Sequence, residues 1–252
     1  MFKDLKNKNI YIIGGSGLIG SNLTKKLSKL SKKIIVIDNK LKKNTSKIKY
    51  LNFDINNQHN LESRLKKIFN TYGKPNVMIN CSYPKNKNWD KLSFQNFNQK
   101  DIDENLNLHL KSFLNYSLNF AHFMKKYKIK GSIINLSSIY GLRGQKADLY
   151  NKRKTNPIYP LIKSSIIGSD RQFAAFFGKY HIRFNSVCPG GIILNKKNLI
   201  TKKFVKKYLQ INPIKRMCRP DDVSNAIIFL SSDMSSYITG TNIIVDGGWT
   251  AV

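Results

Sequence analysis

The chain has 252 residues, 41% of them hydrophobic, which suits one α/β domain with a sizeable core and excludes a disordered chain. No apolar run approaches the ~18 residues that a membrane helix needs, so a cytoplasmic protein with no membrane partner is expected. The formal net charge of +30 comes from Lys spread through the whole chain, without an aromatic-basic RNA motif, so no specific nucleic-acid partner is expected.

Asn9–Ile13 is a short apolar run ending in glycines and predicts the first strand. Leu18, Ile19, Leu23, Leu27 and Leu30 fall at helical spacing. Ile34–Ile37 is a β-branched run that ends at Asp38, and Tyr50–Phe53 ends at Asp54. Leu61–Phe69 predicts an amphipathic helix and Val77–Ile79 a fourth strand. Ile102–Tyr127 carries one long helical pattern. Ser132–Leu136 is a fifth strand, Tyr159–Gly178 a helix, Ile182–Val187 a sixth strand, Asp221–Leu230 a helix and Asn242–Val245 a last strand.

This alternation predicts a single doubly wound Rossmann-type domain over residues 1–252. Its parallel sheet would have about seven strands, flanked by helices on both faces. Two stretches break the rhythm, near 141–157 and 192–209, after the fifth and sixth strands. Ligands of such sheets bind outside the carboxyl ends of the strands, so these inserts are candidate walls of a substrate site.

The loop Gly14-Gly15-Ser16-Gly17-Leu18-Ile19-Gly20 joins the first strand to a helix. Glycines let a backbone approach a pyrophosphate, and the helix start offers free N–H groups. Asp38 follows eighteen residues after Gly20, at the end of the second strand. A carboxylate there accepts hydrogen bonds from the ribose hydroxyls of NAD and repels the 2′-phosphate of NADP, so NAD is the expected cofactor. Lys40, Lys42 and Lys43 follow closely and blunt that repulsion.

Farther along, Ser138 ends a strand, and Tyr159 and Lys163 lie four apart on one face of a helix. A neighbouring ammonium favours a phenolate, so Lys163 is expected to lower the pKa of Tyr159 from its ordinary value near ~10. A nucleotide cradle with a Ser, Tyr, Lys set suits the movement of a hydride and a proton. Cys81, Cys188 and Cys218 show neither metal spacing nor a disulfide framework. His59, His109, His122 and His181 form no metal or triad set and read as structural.

In order, the glycine loop, Asp38, Asp54, Asn80, Asn107, Ser138, Tyr159-x-x-x-Lys163, Pro189-Gly190, Arg219-Pro220-Asp221-Asp222 and Asp246-Gly247-Gly248 resemble the short-chain dehydrogenase/reductase family along the whole chain. Ser82–Asn88, Asn105–Leu110, Ser137–Gly141 and Pro189–Ile192 resemble its flagellin-modification, surface-sugar branch. The resemblance implies Tyr159 as general acid/base, Ser138 on the substrate oxygen, Lys163 on the nicotinamide ribose, and Asn107 holding a relay water. It also implies cofactor contacts from Asp54, Ile55, Asn80, Pro189, Gly190 and Ile192, and a homodimer or homotetramer. The sequence departs from the family in four places. Tyr83 stands where a glycine is usual, and the Thr usual after Pro189-Gly190 is missing. The Ser138-to-Tyr159 interval is long, and Pro160 follows the Tyr.

Lys85, Arg143 and Arg153 make an anionic, sugar-like small molecule the expected substrate, oxidised or reduced at a hydroxyl or carbonyl. Glycine spacing that also fits Gly-x-x-Gly-x-x-Gly leaves a sugar-nucleotide epimerase or dehydratase open, although the chain is short for one. The charge leaves open a non-catalytic basic scaffold that binds nucleic acid.

Overall fold

Strands whose residues are apolar on both faces need cover on both faces, and the chain provides it. A computed structural model describes residues 2–150, 155–192 and 199–252. Its strands are β1 (Asn9–Ile13), β2 (Lys33–Asp38), β3 (Ile48–Asn52), β4 (Val77–Asn80), β5 (Gly131–Leu136), β6 (Ile182–Pro189) and β7 (Asn242–Val245). They form one seven-stranded sheet in the order β3-β2-β1-β4-β5-β6-β7, with every pair parallel. The order reverses direction between β1 and β4, the point at which doubly wound sheets open a ligand crevice.

The helices are α1 (Leu18–Leu27), α2 (Leu61–Tyr72), α3 (Gln99–Asn105), α4 (Lys111–Lys126), α5 (Ala147–Tyr150), α6 (Ile158–Phe177), α7 (Leu199–Ile211) and α8 (Pro220–Ser231). On one face of the sheet, Tyr11, Ile13, Ile35, Met78 and Ile133 pack on Phe69, Tyr116, Phe120 and Phe177 from α2, α4 and α6. On the other, Ile10, Ile12, Val36, Ile79 and Ile134 meet Leu23, Leu27, Val223 and Ile227 from α1 and α8. The strict alternation along β1 is the period of two that a pleated strand imposes.

The expected single helix over Ile102–Tyr127 is interrupted. A π-turn, Leu106–Leu110, sits between α3 and α4, and the Lys111 N–H bonds the Leu106 carbonyl five residues back. The wide turn changes which side chains face inward. Asn107 is exposed and His109 is buried. Pro160 lies in the first turn of α6, where a missing N–H breaks no helical bond. The two inserts carry α5 and α7. Tyr140 and Leu149 from the first pack with Tyr208 from the second and Trp249 from the C-terminal segment. Asp246 holds that segment, accepting from the Gly248 and Thr250 N–H groups.

Candidate active site

Where β1 turns into α1, Gly14 has φ +74°, and a Cβ there would lie 2.7 Å from the Ser82 backbone. A Cβ on Gly20 would overlap the Gly14 carbonyl oxygen, so α1 starts closer to β1 than any other residue permits. Asp38, buried at the end of β2, clamps the loop: its carboxylate accepts from Ser16 N at 2.9 Å and from Lys40 N at 2.9 Å. The Ser16 hydroxyl donates to the Lys40 carbonyl.

This loop forms one end of a cleft of about 820 Å³ along the carboxyl edge of the sheet. Gly14, Gly17, Leu18, Ile19, Gly20, Asp38, Ile55, Pro189, Gly190 and Ile192 all line it. Three other expected cofactor residues do not. Ser16 turns its N–H to Asp38. Asn80 is fully buried: its Oδ1 accepts from the Ser82 N–H and hydroxyl and its Nδ2 has no partner. Asp54 is exposed and accepts from Asn56 N in a turn, so Ile55 and Asn56, rather than its carboxylate, reach the cleft.

Ser138, Tyr159 and Lys163 meet at the middle of the cleft. Ser138 caps the short turn Ile139–Gly141 through Tyr140 N, and its hydroxyl lies beside the Tyr159 phenol, where it favours the phenolate. Ser137 is the structural neighbour, donating to the Lys163 carbonyl at 2.8 Å. Lys163 is buried; its Nζ donates to the Leu136 carbonyl at 2.9 Å and lies 3.4 Å from His109 Nε2. Burial lowers the Lys163 pKa to about 7.

The expected lowering of Tyr159 is reversed here. Burial raises its pKa to about 12, opposed mainly by the neighbouring Ser138 hydroxyl. Desolvation disfavours the phenolate more than that single donor favours it. The expected place of Asn107 is also corrected: its side chain lies on the exposed side of the π-turn, and His109 fills the position against Lys163.

The far end of the cleft is aromatic, which nothing in the sequence pattern signalled. The Tyr83 ring meets Tyr159 edge-on at 6.0 Å and Trp89 at 5.7 Å, and its hydroxyl accepts from Trp89 Nε1 at 3.0 Å. Tyr140 meets Tyr159 at 6.4 Å, and the Tyr150 hydroxyl donates to that of Tyr140 at 2.6 Å. Tyr83, at the position where the family has a glycine, thus walls this end of the cleft. Lys85 pairs with Asp90 at 2.5 Å, and Arg143 is exposed outside the cleft wall. Arg153 lies outside the described residues, as does the stretch after Ile192 where the family's Thr would fall. No His, Cys, Asp and Glu cluster suited to a metal occurs among the described residues, and none of their helices is long and apolar enough to cross a membrane.

A parallel sheet reversing at a glycine loop, with a Ser, Tyr, Lys set at the switch point, defines a nucleotide-dependent oxidoreductase. Comparison with known proteins agrees. A family profile described as "Enoyl-(Acyl carrier protein) reductase" matches residues 19–250. The chain is 33% identical over 263 residues to post-translational flagellin modification protein A of Campylobacter coli, covering 97% of this chain and 99% of that one. It is 30% identical over 195 residues to a 3-oxoacyl-[acyl-carrier-protein] reductase of Thermotoga maritima, covering 77% of this chain and 74% of that one. A short-chain dehydrogenase of Leptospira borgpetersenii, solved with bound NAD+, superposes with a TM-score of 0.89 at 28% identity, covering 99% of this chain and 96% of that one. The chain belongs to the short-chain dehydrogenase/reductase family, in likeness to its flagellin-modification branch, and is an oxidoreductase.

Proposed function

We propose that the protein interconverts a hydroxyl and a carbonyl on a neutral, sugar-like substrate, with NAD preferred over NADP. The observation that carries this reading is the Tyr159 phenol, sharing the cleft with Ser138 and Lys163 and walled by Tyr83 and Tyr140. Aromatic walls take the C–H faces of a sugar ring, while a few convergent hydroxyls and amides orient its oxygens. The paired Lys85 and the exposed Arg143 argue for an uncharged substrate instead of the anionic one that composition suggests.

The cradle fits a dinucleotide: Gly14 and Gly20 leave no room for a Cβ, so backbone N–H groups can approach a pyrophosphate. Gly14, Gly17, Leu18, Ile19 and Gly20 would hold the phosphates, Asp38 the adenosine ribose, Ile55 the adenine, and Pro189, Gly190 and Ile192 the nicotinamide end. When bound, the nicotinamide supplies or accepts the hydride. Ser138 holds the substrate oxygen beside the phenol. Tyr159, which burial favours in its phenol form, donates its proton to that oxygen in reduction; in oxidation it first gives up that proton, and the phenolate then takes the proton of the substrate hydroxyl. Tyr83, Trp89 and Tyr140 line the cleft around the reacting carbon. The exposed Leu161 and Phe176 on α6 support pairing of two copies through that helix.

The test is NADH formation on a panel of neutral aldohexoses, with an acetoacetyl thioester as counter-probe. Turnover of a hexose that Tyr159→Phe abolishes is expected. Reduction of the thioester alone would overturn the sugar reading while leaving the oxidoreductase class intact.

A further inference from the structure

Two observations at the π-turn have no explanation in packing alone. His109 is fully buried, yet its Nδ1 has no partner. Its Nε2 lies 3.4 Å from Lys163 Nζ, at the outer end of hydrogen-bond range. A buried unsatisfied ring nitrogen is destabilising, a cost that a Phe in the same aromatic setting would avoid. That setting is tight: Tyr83 meets the imidazole edge-on at 5.3 Å, Phe113 lies at 5.4 Å and Trp89 at 6.0 Å. The ring is therefore held in one plane with Nε2 toward the lysine.

We propose that His109 is the positioning residue for Lys163, its neutral Nε2 accepting from the ammonium so that the charge stays beside Tyr159. The inference rests on the reading of Tyr159 and Lys163 as the working pair. The Lys163 ammonium gives one N–H to the Leu136 carbonyl and one to His109, which leaves its third toward the cleft. Burial and the lysine charge hold the His109 pKa well below its ordinary value, so the ring accepts at any working pH and Nδ1 carries its proton. The other titratable groups around the pair are Cys81 after β4, Cys188 on β6, Tyr83 and Tyr159, all uncharged at neutral pH since burial raises each of them. His109 is thus the acceptor side chain that favours the charged lysine.

Two measurements on the full chain test this without a substrate. Long-range proton–nitrogen NMR of protein labelled at its histidines, with His109 assigned by its loss in His109→Gln, should show a protonated Nδ1 and a bare Nε2 that do not titrate down to mildly acid pH. The Nε2 resonance should move in Lys163→Met. A His109 that titrates like an exposed histidine, or that ignores Lys163→Met, overturns the proposal. Competitive acetylation with acetic anhydride then follows the Lys163 midpoint, which should lie near about 7. His109→Phe should lower it by about one unit, a tenfold change in the ratio of charged to neutral lysine. His109→Gln, with an amide oxygen near the place of Nε2, should restore it, and Asn107→Ala should leave it unmoved. Equal midpoints in wild type and His109→Phe, or a shift in Asn107→Ala, overturn the assignment. Should His109→Phe not fold, the NMR comparison of wild type with Lys163→Met decides. A protein that binds no NADH would sink the dehydrogenase reading and leave both of these results standing.

Discussion

The two ends of the cleft are built on different principles. The cofactor end is backbone: a glycine turn, a helix start and one carboxylate, all within the first 38 residues. The proposed substrate end is side chains, with Tyr83 and Trp89 from after β4 and Tyr140 and Tyr150 from after β5, Tyr140 being backed by Trp249. A backbone cradle tolerates no added atom, whereas an aromatic wall tolerates exchange at graded cost. The difference implies that changes at one end move cofactor affinity and changes at the other move substrate kinetics.

Tyr159 stands where the ends meet and gives the largest effect. Tyr159→Phe should cut kcat by about 10²–10⁴-fold, the usual loss of a general acid/base, while the NADH dissociation constant stays unchanged in fluorescence titration. Gly14→Ala combines a left-handed backbone with a collision at Ser82 and should abolish NADH binding or folding, as circular dichroism would separate. Tyr83→Ala opens the aromatic wall and should raise KM by about tenfold with cofactor affinity intact. A loss of NADH affinity in Tyr83→Ala would erase the distinction between the ends.

The smallest effect lies outside both. Asp170 is buried on α6, accepting from Asn135 Nδ2 and the Ser186 hydroxyl, and burial raises its pKa to about 7. The folded state holds this proton more tightly than the unfolded chain. Stability is therefore lost as pH rises from about 4 to about 7, and the loss is complete above that. Asp170→Asn keeps both hydrogen bonds without the charge. It should stabilise by roughly 1–3 kcal/mol at pH above 7 and by little near pH 4, read from thermal melts across pH.

The cofactor end was legible because its physics is local. Gly14, Gly20 and Asp38 report themselves by spacing, and all seven strands follow from short apolar runs. The substrate end was not, since Tyr83, Trp89 and Tyr140 converge only through the fold. Helical periodicity also ran unbroken across Leu106–Leu110, and one wide turn exchanged Asn107 for His109 at Lys163. Lys85, expected at the substrate, is paired instead with Asp90, five residues on. The Tyr159 pKa was misread because proximity to Lys163 was visible in the spacing and burial was not.

Parallel fluorescence titrations of NADH and NADPH on wild type and Asp38→Ala test the central claim most directly. Saturable binding with NADH favoured, and a preference that falls by about tenfold in Asp38→Ala, is the predicted result. Binding of neither nucleotide by a folded wild-type protein would contradict the account, since the glycine cradle and Asp38 would then have no ligand to hold.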